Sequence, residues 1–378
     1  MKKKFNIKNQ PKKIVFCSKC VLSNQKPVPS LIKSDDPGHT NREFLRIEKK
    51  KNICSACLAV ERKFDDVEDK IDWREREAKF RKLLKKYKSR NGSYDCIVPG
   101  SGGKDSVYQA EILKKKYGMN PLTITFSPQL YTEIGMKNFH NWMEVGGVNN
   151  LLFTPSGKVY GSLVRLAYER MLHPFQPFIF GQRHFATHLA KLFKISLIFF
   201  GETHSEFGSR AIEEDSHLMS YDLYTREKNE KIFLSGCTIN ELYKKYKFNP
   251  SDLNYFLPLE KNDLIKNDIK IIFLGYFENL SPQENFYRAS KISDFKTNNE
   301  RSEGTYSKYI SLDDKTDGFH FWTTYVKYGL GRASDEAAWE TRHKYINREE
   351  AINLVKKYDG EFPKKYFKEF LKFTNLNE

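Results

Sequence analysis

The sequence predicts an α/β protein in which a parallel sheet carries helices on both faces, with a small zinc-ribbon-like module before it and a mainly helical region after it. Three observations predict this. Two C-x-x-C pairs stand near the start, short apolar runs alternate with helical periods from Tyr94 to Phe200, and apolar residues at helical spacing return from Ser334. At about 150 residues per domain, 378 residues correspond to two or three folded units. The divisions fall at 1–60 (cysteine module), 61–92 (linking helix), 93–202 (alternating strand–helix domain) and 203–378 (mainly helical C-terminal region).

In the first module, Cys17/Cys20 and Cys54/Cys57 account for four of the six cysteines. Two thiolates two residues apart grip one ion from a single turn, and a second such turn closes a tetrahedral four-sulfur site, for which zinc is the expected ion. The intervening stretch, 21 to 53, is longer than the usual ribbon spacing of about 15 to 20 residues. His39, in Asp-Asp-Pro-Gly-His, reads as a turn residue. A thioredoxin-type redox pair would need a βαβ setting, and Lys, Asn and Ser surround these cysteines instead.

Glu61 to Arg90 is charged, with Ile71, Phe80, Leu83, Leu84 and Tyr87 at helical spacing, and Asn91-Gly92 ends the pattern. Its basic end is expected to be a solvated face in preference to a nucleic-acid contact. Next come a strand at Tyr94–Val98, a helix with Val107, Ala110 and Leu113 inward, and a strand at Leu122–Phe126. A helix with Met136, Phe139 and Met143 on one side, a strand at 151–154 and a helix around Leu163–Arg170 follow. A helix facing inward with Phe185, Leu189 and Phe193 then leads to the strand Leu197–Phe200. Residues 203–268 are polar and irregular, 269–277 adds a strand, and Ala351, Leu354 and Val355 form an apolar stripe near the C-terminus. In a sheet of this kind the ligand site lies beyond the carboxyl ends of the strands.

Composition bounds the function. With 39% hydrophobic and 14% aromatic residues the chain buries a sizeable core, and its mean hydropathy is −0.65. Apolar runs such as Leu197–Phe200 fall far short of the ~18 residues of a membrane span, and Met1-Lys2-Lys3-Lys4-Phe5 leads into polar sequence without a signal core. A soluble, cytoplasmic protein is expected. Lys and Arg exceed Asp and Glu by 64 − 48, a net charge of +16 that suits a phosphate-bearing partner.

The most informative stretch is Pro99-Gly100-Ser101-Gly102-Gly103-Lys104-Asp105-Ser106, between a strand and a helix. Its glycines let consecutive N–H groups converge on phosphate oxygens at a helix start. Walker A is excluded because Val98 and Asp105 stand where it needs Gly and Ser/Thr, and the dinucleotide fingerprint because its last Gly falls on Asp105. His184 and His188 lack the Glu of the zincin pattern and read as a helix face.

Ser-Gly-Gly-x-Asp-Ser in this setting resembles the pyrophosphate loop of the ATP pyrophosphatase (PP-loop) superfamily, whose fold is a Rossmann-like parallel sheet. The resemblance implies ATP with Mg2+, its β and γ phosphates held by Ser101, Gly102, Gly103, Asp105 and Ser106 with Lys104 at the variable position; Asp105 and Ser106 are expected on an exposed loop. Thr125, Phe126 and Ser127 are placed to line the adenine pocket, and Gly201, Glu202 and His204 to face the α-phosphate or acceptor. Asp105, Lys104 and Glu202 are the candidate catalytic residues.

The two C-x-x-C pairs, this loop, Phe273–Asn279 with Pro282-Gln283-Glu284-Asn285, Gly329–Asp335 and Arg348–Ala351 leading to Tyr358–Pro363 together resemble the N-acetyl sugar amidotransferases. These serve bacterial surface-sugar pathways, of which pseudaminic acid biosynthesis on flagellin is the best known. The likeness implies conversion of an acetamido into an acetamidino group, with ATP going to AMP and pyrophosphate. His204, Arg332 and Asp335 are the candidate substrate residues; Arg332 either grips an acidic sugar or pairs with Asp335. Neither Cys96 in a strand nor Cys237 in Ser-Gly-Cys-Thr-Ile fits a glutaminase nucleophile, so ammonia is expected from solution or a partner glutaminase. The competing expectation is a zinc-containing tRNA thiolation enzyme of the same superfamily.

Overall fold

The computed structural model describes residues 11–28, 44–64, 67, 70–201 and 216–377. His39, Glu202, Thr203 and His204 lie outside the described residues.

The N-terminal module is a short antiparallel pair, β1 (Ile47–Glu48) and β2 (Ile53–Cys54), running into helix α1 (Ser55–Phe64). The single linking helix expected from Glu61 to Arg90 is instead two. α2 (Trp73–Tyr87) starts afresh because the Asp72 carboxylate accepts from the amides of Arg74 and Glu75, and it buries Phe80 and Leu84.

β3 (Cys96–Pro99), α3 (Lys104–Lys115), β4 (Pro121–Phe126), α4 (Glu133–Glu144), β5 (Asn150–Phe153), α5 (Gly157–Met171), α6 (Gln176–Phe193) and β6 (Leu197–Phe200) follow in order. A hairpin of β7 (Phe233–Leu234) and β8 (Cys237–Thr238) and three short helices, α7 (Ile239–Lys244), α8 (Pro250–Leu253) and α9 (Lys261–Lys266), lead to β9 (Lys270–Phe273). The apolar run 269–277 is thus a strand in its first half only; Leu274–Tyr276 turns into a 3-10 helix.

The five long strands form one parallel sheet in the order β5-β4-β3-β6-β9. Because β4 and β5 lie on one side of β3 while β6 and β9 lie on the other, the order in which strands are added reverses between β3 and β6, and a crevice opens there at the strand ends. Ile97, Val98, Ile198 and Phe199 are fully buried, since helices cover both faces. One layer packs α5 and α6 on the sheet around Leu163, Val164, Phe185 and Leu189; the other packs α2 and α3 around Phe80, Val107, Ala110 and Leu113.

Two inward faces differ from expectation. α4 turns Asn138, Phe139 and Trp142 into the core while Met136 and Met143 stay half-buried. Phe193 is 45% exposed because α6 ends there, at Lys194 with φ 56°.

α10 (Pro282–Ser293), α11 (Asp317–Tyr328), α12 (Arg332–Arg342), α13 (Arg348–Tyr358) and α14 (Phe367–Thr374) complete the chain. α10 lies along α3, and α12 pairs with α13. The cysteine module shares a core with these last helices through Ala337, Ala338 and Ala351, so the two ends of the chain meet. Of the C-terminal stripe, Ala351 is fully buried and Leu354 and Val355 are half-buried. No helix among the described residues is long and apolar enough to cross a membrane.

Candidate functional site

The four cysteines of the paired motifs meet in a buried cluster whose sulfurs all lie within 4.8 Å of one another. The Sγ atoms of Cys17 and Cys57 are 3.8 Å apart and those of Cys20 and Cys54 3.7 Å. Those separations are far beyond a disulfide and match the edge of a tetrahedron with Zn–S bonds of about 2.3 Å. Backbone amides point at the sulfurs: Cys54 N donates to Cys17 Sγ at 3.3 Å and Cys57 N to Cys54 Sγ at 3.4 Å. Arg342 reaches Cys20 Sγ at 4.0 Å, and Arg348 donates to the carbonyls of Cys17 and Cys20. The donor set fits zinc and leaves no open ligand position.

The second constellation surrounds the loop after β3. Gly102 has φ +81°, and a Cβ there would lie 2.6 Å from the Phe139 backbone, so only glycine lets the loop pass so close to α4. Thr125 Oγ1 donates to Gly100 O at 2.6 Å, which places Thr125 beneath the loop as a support and not on a cavity wall. Ser106, expected on an exposed loop, is buried, with Oγ donating to Gly103 O at 3.0 Å. Lys104 pairs with Asp105 at 2.6 Å, and Asn285 Nδ2 donates to the other Asp105 oxygen at 2.8 Å. Ser101 Oγ donates to Asp313 at 2.6 Å.

Three cavities border the loop. One of 320 Å3 lies in the crevice between strand ends, walled by Ile124, Phe126, Phe185, Phe200, Gln109 and Gly201 and floored by Gly100, Ser101, Gly103, Asp105 and Ser106. Phe126 lines it as expected, whereas Ser127 is buried with its hydroxyl on Pro128 O. A second, of 200 Å3, brings Ser101, Gly102, Gly103, Lys104 and Asp105 against Asp313, Tyr309 and Arg332. A third, of 130 Å3, continues from Lys104, Asp105 and Arg332 to Asp335, Glu336, Trp339 and Tyr345.

The two substrate candidates on α12 thus meet the loop candidates, although more than 200 residues separate them. Asp335 forms its ion pair with Lys26 of the cysteine module. Arg332 stacks its guanidinium 4.5 Å from the centre of Phe321, and its Nε has no hydrogen-bond partner. Burial raises the Glu336 and Asp317 carboxyls, with the nearby Arg332 charge opposing the rise.

The start of α12 is fixed from a distance. Asp359 accepts from Gly331 N at 2.8 Å and Ser334 Oγ at 2.6 Å, while Glu361 takes Arg301 in a bidentate pair at 2.6 and 2.9 Å. The Gly-Leu-Gly-Arg and Tyr-Asp-Gly-Glu segments are therefore one structural unit that aims Arg332. A further joint is Asp314, wholly buried, accepting from the amides of Gln129, Leu130 and Thr316; burial pushes its carboxyl up to about 7 against those bonds.

Asp313, Tyr309 and Gln109 are the residues sequence reasoning missed. The Asp313-Asp314 pair in a non-helical stretch was the available signal for the first. Asn285 stood in a noticed motif, without a role. His184 and His188 bond separate carbonyls, Phe256 O at 2.7 Å and Leu257 O at 3.0 Å, in the core beneath α6. Burial holds the His184 ring neutral, down to about 3.

Residues 303–378 match the family described as LPS biosynthesis protein WbpG-like, C-terminal domain. An uncharacterized protein of Methanocaldococcus jannaschii is 30% identical over 94 residues, 24% of this chain and 31% of that protein. The chain therefore spans about a third of that relative. The crystal structure of a predicted subunit of tRNA methyltransferase from the same organism matches with a TM-score of 0.26 and 16% identity, over 52% of this chain and 76% of that one. The C-terminal part of the chain, which carries Asp313, Arg332 and Asp335, is therefore the part that is similar to a domain of lipopolysaccharide biosynthesis proteins.

Proposed function

We propose that the chain is an ATP-dependent, AMP-forming amidotransferase of the PP-loop type that converts the acetamido group of a bacterial surface sugar, of the pseudaminic or related nonulosonic acid kind, into an acetamidino group. One observation carries this reading: the segment similar to a lipopolysaccharide-biosynthesis domain delivers Asp313 and Arg332 onto the glycine loop, into the same cavity as Lys104 and Asp105. A phosphate-cradling turn and a sugar-pathway segment thus face one another.

An amide oxygen is too poor a leaving group for ammonia to displace, so it must be activated. The acetamido oxygen attacks the α-phosphorus, the α–β bridging P–O bond breaks, and pyrophosphate departs. Ammonia then adds to the activated carbon, AMP leaves with the original oxygen, and a lost proton leaves a C=N bond. In this reading the amides of Ser101 to Gly103 and the start of α3 hold the pyrophosphate. Lys104 and Arg332 neutralise it, and the carboxylates of Asp105 and Asp313 offer the hard oxygen donors Mg2+ prefers. The adenine lies against Phe126 and Phe185. The cysteine cluster, loaded with zinc, is structural because its coordination is closed.

Cys96 and Cys237 are both fully buried and line none of the three cavities, which counts against a thiolation role and against an internal glutaminase. The test supplies purified protein with ATP, an N-acetylated nonulosonic acid and either ammonium or glutamine, and follows AMP and the sugar mass. AMP with ammonium, and a product in which NH replaces oxygen, is expected. AMP released only with bulk tRNA would sink the proposal in favour of RNA modification, and turnover with glutamine alone would refute an external ammonia source.

A further inference from the structure

Among the described residues lining the crevice, one buried polar side-chain atom has no hydrogen-bond partner. Gln109 is 6% exposed, its Oε1 has no hydrogen-bond partner, and its carboxamide makes no side-chain hydrogen bond among the described residues. It stands one helical turn beyond Asp105 on α3 and lines the 320 Å3 cavity. Gly201, at the end of β6, gives it room: a Cβ there would lie 2.3 Å from Gln109 Nε2. Leaving a buried amide oxygen without a donor is unfavourable, so the arrangement calls for a ligand that supplies an N–H or O–H to it.

We propose that Gln109 binds the acetamido group of the acceptor, an inference that rests on the amidotransferase reading above. The position of the residue selects the partner. The apolar walls Ile124, Phe126 and Phe185 lie on the β4 side of the loop and suit a flat base. Gln109 and Gly201 lie on the β6 side, across the point where the strand order reverses. The group arriving on that side is the second reactant. A polyphosphate offers acceptors only and leaves the Gln109 oxygen unmatched. A trans secondary amide presents its N–H to the Gln109 oxygen and points its C=O in the opposite direction. Held by its N–H, the acetamido group keeps its oxygen free to turn toward the phosphate end of the cavity, where Ser106 and Asp105 stand.

Saturation-transfer NMR on the full chain tests this, with N-acetylglucosamine as the acceptor probe and α,β-methylene-ATP as the nucleotide. In the wild type both the acetyl methyl and the adenine protons are expected to receive saturation. Gln109→Met, similar in volume but without hydrogen bonds, is expected to weaken transfer to the acetyl methyl about fivefold, the effect of one neutral hydrogen bond, and to leave adenine unchanged. Gly201→Ala, which crowds the carboxamide while leaving the sequence of α3 intact, is expected to do the same. Loss of adenine signal in either variant would assign the carboxamide to the nucleotide and overturn the proposal. So would an unchanged acetyl signal, or no acetyl signal in the wild type. If the signals behave as expected but the wild type forms no AMP with sugar and ammonium, the amidation reading fails and the binding role of Gln109 stands.

Discussion

The cysteine cluster and the loop crevice are both assembled where a short strand gives way to a helix, β2 to α1 in one case and β3 to α3 in the other, yet they are completed in opposite ways. The cluster draws every sulfur from Cys17 to Cys57 and is closed by its own members. The loop site has its floor between Pro99 and Ser106 but takes Asp313 and Arg332, in the neighbouring cavity, and Asn285, on Asp105, from distant segments. A closed, local site contributes stability; an open, composite one is free to do chemistry. Substitutions in the two regions are therefore expected to separate rate from stability.

Asp105→Ala should give the largest effect of the first kind. Its carboxylate borders all three cavities, so AMP formation is expected to fall about 10²–10³-fold, the range for removing one group aimed at developing charge. Asp105 is half-buried and outside the cores, and the melting temperature should hardly move. Quenched-flow AMP assay beside a thermal melt reads both; an unchanged rate would remove the loop from the active site.

Cys54→Ser should do the reverse. Loss of one thiolate from a closed four-sulfur site is expected to abolish stoichiometric zinc by elemental analysis and to lower the melting temperature by about 10 °C, equivalent to a few kcal/mol in a chain of this size. Metal-free wild-type protein with normal melting would show that the cluster does not hold metal.

The same contrast decides what could be read in advance. Metal ligands announce themselves by residue type and spacing, so the four cysteines were legible without any knowledge of packing. The strands were legible because buried parallel strands are continuous apolar runs. Arg332 and Asp335 were found through a motif, but their neighbours were not: no local pattern says that Asp335 meets Lys26 or that Asp313 meets Ser101, 212 positions away. Gln109 gave no signal at all, because an amide on a helix face looks like any solvated residue until the sheet order buries it. The break in the linking helix was decided by the Asp72 cap, which a search for apolar spacing passes over.

Asp314 sharpens the comparison at the joint between the regions. Its folded pKa, about 7, is above the ~3.9 of an unfolded aspartate, so the folded state binds the extra proton. The stability it contributes is fully present below about pH 4 and is lost as pH rises through 7. Between pH 6 and 8 the wild type should lose about 1.4 kcal/mol relative to Asp314→Asn, whatever the constant offset between them. Urea denaturation of both proteins at the two pH values measures this, and a gap independent of pH would show that the buried carboxyl does not titrate in that window.

Lys26→Met carries the smallest effect and asks whether the two regions communicate. Lys26 belongs to the cysteine module, and its ion pair with Asp335 lies in the first turn of α12, three residues beyond Arg332. Their side chains are 12% and 30% exposed, between a screened surface pair and a buried one, so the pair is expected to contribute about 1 kcal/mol. Without it the first turn of α12 keeps its Asp359 cap but loses the tie to the module, and Arg332 is held less firmly over the loop. The expected result is a rise of up to about fivefold in KM for the acceptor or ATP, with zinc content and melting temperature almost unchanged. The conservative Lys26→Arg should restore most of the loss, because it retains the charge. An unaltered KM in Lys26→Met would mean that the module stabilises the fold and nothing more. A KM change accompanied by loss of zinc would instead place Lys26 within the cluster's own support.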